Sequence, residues 1–185
     1  MIKGLRFYAR GEAWPRRRRI LLGSDALLAL ALGAGAYYFG GTSITVLIKA
    51  GALSSVLLTY ASIALGFTLA GFTLCLTLPD KDFAKKLVGQ KARDGSDAYS
   101  DLLFAFSWAA LAHWLLIVTS VVFLLTIDSD AAVLSIGAPR ARRAGVAALV
   151  ALSAYGFLNF LIVLITLSQA GAVYIRHVKD CPHTR

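Results

Sequence analysis

Four stretches of this chain are almost free of charge, and short polar segments separate them. The clearest is 101–127, DLLFAFSWAALAHWLLIVTSVVFLLTI: after Asp101 no Asp, Glu, Lys or Arg occurs until Asp128. Apolar residues occupy every helical face there, unlike the half-polar pattern of a helix lying on a soluble core. At ~1.5 Å rise per residue the stretch can cross a ~30 Å hydrocarbon layer. The pattern predicts a membrane-spanning helix over 101–127 and, on the same ground, over about 20–48, 52–78 and 144–175.

Local signals set the ends of these spans. Two ends fit the first. Tyr37, Tyr38 and Phe39 make an interfacial belt before the breaker run Gly40-Gly41-Thr42-Ser43, which places one end at Phe39. The uncharged run 26–48 places the other near Ile48, with a turn at 49–51. The second span is closed by Pro79. Within it Ser62, Gly66 and Ala70 fall at four-residue intervals, a small-residue seam that lets another helix of the same or another subunit approach closely. The third span has Ser96 or Asp97 available as N-cap and Asp101 in its first turn. The fourth exceeds a perpendicular crossing, so it tilts or protrudes, and Ala144/Ala148 and Ala147/Ala151 give it small-residue faces.

The connections are short. Residues 1–19 read as an interfacial segment ending in a charged anchor. Their arginine run, the apolar stretch after it and Ala34-Gly35-Ala36 share the outline of a twin-arginine signal. Asp25 interrupts that stretch and more membrane span follows, so a retained helix is expected. In the cytoplasmic linker 79–100, Phe83, Leu87 and Val88 share one face flanked by Lys81, Lys85 and Lys86, predicting an amphipathic interfacial helix over 80–92. Residues 128–143 are expected as a loop carrying Gly137, Pro139, Arg140, Arg142 and Arg143, and 176–185 as a tail.

Composition strengthens this picture. Of 185 residues, 58% are hydrophobic and 16% charged, whereas soluble domains carry about 25% charged residues. The expected fold is an all-α integral membrane protein: one domain over 1–185, four transmembrane helices and the interfacial helix. The net charge is +9. The basic residues sit beside the spans, without the interleaved aromatics of a nucleic-acid surface, so the expected partner is the anionic headgroup layer and not nucleic acid. Arg16, Arg17, Arg18 and Arg19 form the strongest orienting block. With the N-terminus inside, the inner segments hold fifteen of the 19 Lys and Arg and the outer loops four. That imbalance predicts N-in and C-in in a bacterial inner membrane, multi-pass.

Chemistry is sparse. Cys75 and Cys181 differ in expected depth and lack CxxC spacing, so a small apolar residue and a tail thiol are expected. Asp25 lies ~9 Å of helix beyond Arg19 and reads as an interfacial acid near the arginines or as the start of the helix with Ser24 as cap, an ion or proton path being the lesser alternative. His113 lies ~18 Å beyond Asp101, near mid-membrane, and Asn159 of the fourth span reaches a similar depth. The two are a candidate interhelix pair or the lining of a polar pathway. Tyr60, Thr59, Ser107, Thr119 and Ser120 could join such a seam. His177 and His183 are in the tail, so no metal cluster is expected, and Asp94, Asp97 and Asp101 do not match a calcium loop. GxSxG, HExxH, phosphate-loop and paired-carboxylate signatures are missing, so neither enzyme activity nor a cofactor is expected.

Two functions fit. The first is a homo-oligomeric pore or channel with His113 and Asn159 lining it, since one chain of this size has little room for its own conduit. The second is a non-conducting membrane sensor or anchor that recruits a cytoplasmic protein through 1–19, 79–101 and the tail. In general shape the chain is similar to small multi-span subunits of bacterial defence or envelope-stress systems, a resemblance of architecture alone. A small-solute transporter fits less well, because inverted repeats and broken helices are not evident.

Overall fold

The computed structural model describes residues 23–39, 49–77, 98–126 and 140–180. All four described segments are helical: α1 (Ser24–Phe39), α2 (Ala50–Leu76), α3 (Ala98–Thr126) and α4 (Arg140–Asp180). Three are long and apolar enough to cross a membrane, over Gly51–Leu76, Ala98–Thr126 and Arg140–Arg176. The fourth, α1, is apolar but has 16 residues, which covers ~24 Å of a ~30 Å hydrocarbon layer. Large apolar side chains stand exposed along the long helices, Val56, Ile63, Val122, Leu125 and Ile165 among them. Exposed apolar surface on this scale suits lipid contact and not water.

Local chemistry explains the helix ends. The Gly23 carbonyl accepts from the Leu27 amide at 3.1 Å, which makes Gly23 the cap of α1. Ser24, expected as the cap, is instead the first helical residue, and its hydroxyl donates to the Asp25 carboxylate at 3.0 Å. Helix α3 begins at Ala98, directly after Asp97 in sequence, with Asp101 in its first turn. The largest departure is α4. Arg140, Arg142 and Arg143, expected in a loop, form its first turn, and its C-terminus runs past Ile175 to Asp180. Arginine is a good helix former, and the nearest breakers in the sequence are Pro139 and Pro182. Hydrophobicity falls off at both ends of α4 without ending the helix.

Each long helix buries a stripe of seven-residue period. In α2 it comprises Ser54, Ala61, Ala64, Thr68, Gly71 and Cys75; in α3, Leu102, Phe106, Ala109, His113, Leu116, Ser120 and Phe123. In α4 it comprises Val146, Leu149, Gly156 and Val163. Alternating steps of three and four residues are the spacing of knobs-into-holes packing. The α2 stripe is mostly small residues, so its neighbours approach close to the backbone.

Two compact units divide the chain. The first takes in Met1–Ser62 and Ala112–Leu158. Its core joins Ala61, Leu116, Phe123, Val146 and Leu149, with Leu53, Leu57, Tyr60 and Ile117 around them. Here α1 meets α4 through glycine: a Cβ at Gly33 would stand 2.7 Å from Ala151 Cβ and 2.9 Å from the Ala147 carbonyl oxygen. The Ala147/Ala151 face is thus a packing face, and Gly33 is what permits the approach. The second unit takes in Ile63–Leu111 and Asn159–Arg185. Its core joins Cys75, Leu102, Phe106, Ala109 and Val163. A Cβ at Gly71 would overlap the Phe106 ring, with Cζ at 2.8 Å, so the glycine makes the socket for that ring.

Candidate functional site: a buried tyrosine–histidine pair

The site lies in the first unit. His113 is on the inward stripe of α3 and has no exposed surface. Across from it α2 presents Tyr60, next to the stripe residue Ala61. Tyr60 Oη and His113 Nε2 are 3.2 Å apart, joined by one hydrogen bond whose donor depends on the imidazole tautomer. The rings meet edge to face, with centroids 5.6 Å apart and planes at 61°. On its other side Tyr60 faces Phe157 of α4, with centroids 6.4 Å apart. Gly156 completes the pocket: a Cβ there would stand 3.5 Å from His113 Nε2, an ordinary contact.

This arrangement satisfies a polar group where water cannot. A buried imidazole nitrogen left unpaired costs roughly 1–3 kcal/mol, and the tyrosine hydroxyl meets that need from a neighbouring helix. The pair thereby ties α2 to α3 at one register. A proton can move between the two atoms, but a path along the stripe needs polar groups at successive turns. The residues beside His113 on α3 that share its burial, Ala109, Ala112 and Leu116, are all apolar.

Asn159 is the first α4 residue of the second unit and is half-buried. Asp25 is half-buried in the first turn of α1. Ser62, Gly66 and Ala70 are all exposed, and among the described residues nothing stands within 4 Å of a Cβ built on Gly66. The packed face of α2 is the neighbouring one. Cys75 is buried, and its carbonyl accepts from the Tyr99 hydroxyl at 3.2 Å. Arg16, Arg17, Arg18, Arg19, the helix expected over 80–92 and Asp97 lie outside the described residues. Among the described residues no three His, Cys, Asp or Glu side chains gather as metal ligands.

Tyr60 carries more than the sequence assigned to it, and Ser54 was passed over. The signal that finds them is the recurrence of small residues at Ser54, Ala61, Thr68 and Cys75, seven apart. It competes with the four-residue repeat at Ser62, Gly66 and Ala70, which marks a different face. No known family, no curated protein and no solved structure matches the chain.

Proposed function

We propose that this chain is a non-conducting, multi-span subunit of a bacterial inner membrane, with both ends cytoplasmic, that recruits a cytoplasmic protein through its basic segments. The observation that carries the reading is the setting of His113. It is the titratable side chain best placed at mid-membrane to line a pathway, and it is fully buried against Tyr60 within one unit of one protomer. Apolar stripe residues on either side favour a structural tie over a conduit. The charge distribution supports recruitment: most Lys and Arg fall in 1–19, 79–101 and the tail, an inner face suited to acidic partners and anionic lipid. The open Ser62, Gly66 and Ala70 face supports self-association in the bilayer.

Two measurements on the full chain test this. In proteoliposomes, ion flux should not exceed that of protein-free vesicles at neutral or acidic pH. A wild-type flux that His113→Ala abolishes would overturn the proposal in favour of a pore. In a mild detergent, a cytoplasmic protein should co-purify and be lost when Lys81, Lys85 and Lys86 are changed to Glu. Retention of that protein would remove the recruiting role from the linker.

A further inference from the structure

The described residues contain four fully buried polar side chains: Ser54, Thr68, His113 and Ser120. Two have partners. Thr68 donates to the Leu65 carbonyl at 2.9 Å, and His113 is bonded to Tyr60. Among the described residues the hydroxyl oxygens of Ser54 and Ser120 have no hydrogen-bond partner. This is unusual in its setting. Hydroxyls in membrane helices commonly bond their own backbone one turn back, and Ser55, Thr59, Ser107, Thr119 and Thr126 do so here.

The two serines share one place. Helices α2 and α3 run in opposite directions within the first unit, because Phe123 and Leu116, beyond His113 on α3, pack with Leu53 and Leu57, which precede Tyr60 on α2. Ser54 lies six residues from Tyr60, or ~9 Å of helix, and Ser120 lies seven from His113, or ~10.5 Å. Both displacements point the same way, so the serines stand at one depth, and both are inward stripe positions. Two serines fill less space than the leucines and phenylalanine at adjoining levels.

We propose that Ser54 and Ser120 form an isolated internal-water site between α2 and α3. A guest in such a place must be small and neutral, and it must both donate and accept. A buried charge would require an opposite charge, and the buried polar groups at this depth are two hydroxyls. Water meets these conditions. It can bridge the two Oγ atoms and use the spare lone pairs of carbonyls one turn back, reaching the two to four partners that a buried water needs. Leu116, fully buried, lies between this site and His113 on α3, and Leu57, packed against the same cluster, lies between it and Tyr60 on α2. The hydration is therefore a sealed point between two helices and not part of a file of water.

Water-edited solid-state NMR on the full chain in lipid bilayers tests this. Polarisation from water should reach Ser54 and Ser120 rapidly, while Ala61, Leu116 and His113 on the same seam stay slow. In Ser120→Ala, the rapid transfer to Ser54 should be lost. The proposal is overturned if the two serines build up no faster than Ala61 and Leu116, as a direct serine–serine bond would give. It is also overturned if Ser54 is unaffected by Ser120→Ala, or if transfer extends to His113.

Discussion

Tyr60→Phe is the sharpest probe of the buried pair, because it removes one oxygen and leaves the ring. The ring contacts with His113 and Phe157 have centroids 5.6 and 6.4 Å apart. They survive the change, so no large cavity forms. What is lost is a hydrogen bond at 3.2 Å, the long end of the usual range. Interhelical hydrogen bonds in membranes average about 0.6 kcal/mol and reach about 1.7. His113 has no exposed surface, so water does not replace the lost partner, and the cost should fall toward the upper part of that span. We expect a loss of about 1–2 kcal/mol for Tyr60→Phe. His113→Leu should cost less, since Tyr60 is only half-buried. The double variant should recover part of the loss, because neither member of the pair then leaves the other unsatisfied. Reversible unfolding in mixed detergent–SDS micelles gives each free energy, and the cycle should return a coupling of about 1 kcal/mol. A coupling below about 0.3 kcal/mol, the scatter of independent sites, would refute the view that this bond ties α2 to α3.

Two glycine comparisons follow. Gly33→Ala should destabilise by about 1–3 kcal/mol, because one clashing atom is the Ala147 backbone oxygen, which cannot rotate away. Gly35→Ala, with none of the described residues within 4 Å of the added Cβ, should be neutral or stabilising by up to about 1 kcal/mol through helix propensity. Equal effects in the same unfolding assay would refute the close α1–α4 approach. Gly71→Ala should also cost about 1–3 kcal/mol by displacing the Phe106 ring. Adding Phe106→Leu should then cost less than it does alone, and strict additivity would contradict the socket.

The membrane character of this protein is legible in its sequence because it follows from chain-local quantities. Runs such as 101–127 lack charge over a bilayer's thickness, and this alone locates α2, α3 and most of α4. Helix ends were less legible. Arg140–Arg143 and the residues beyond Ile175 are polar enough to leave a membrane and still helical, so a reading based on hydrophobicity stops too early. The inward faces were not legible at all from apolarity. A helix that is apolar all round gives no contrast between core and lipid, and size decides instead: Gly33 admits Ala151 and Gly71 admits Phe106. The site shows the same division. Sequence placed a histidine at mid-depth, since depth depends on counting residues along one helix. Only the tertiary structure placed Tyr60 at its Nε2, because that depends on how α2 and α3 face each other, which in turn depends on the small residues between them.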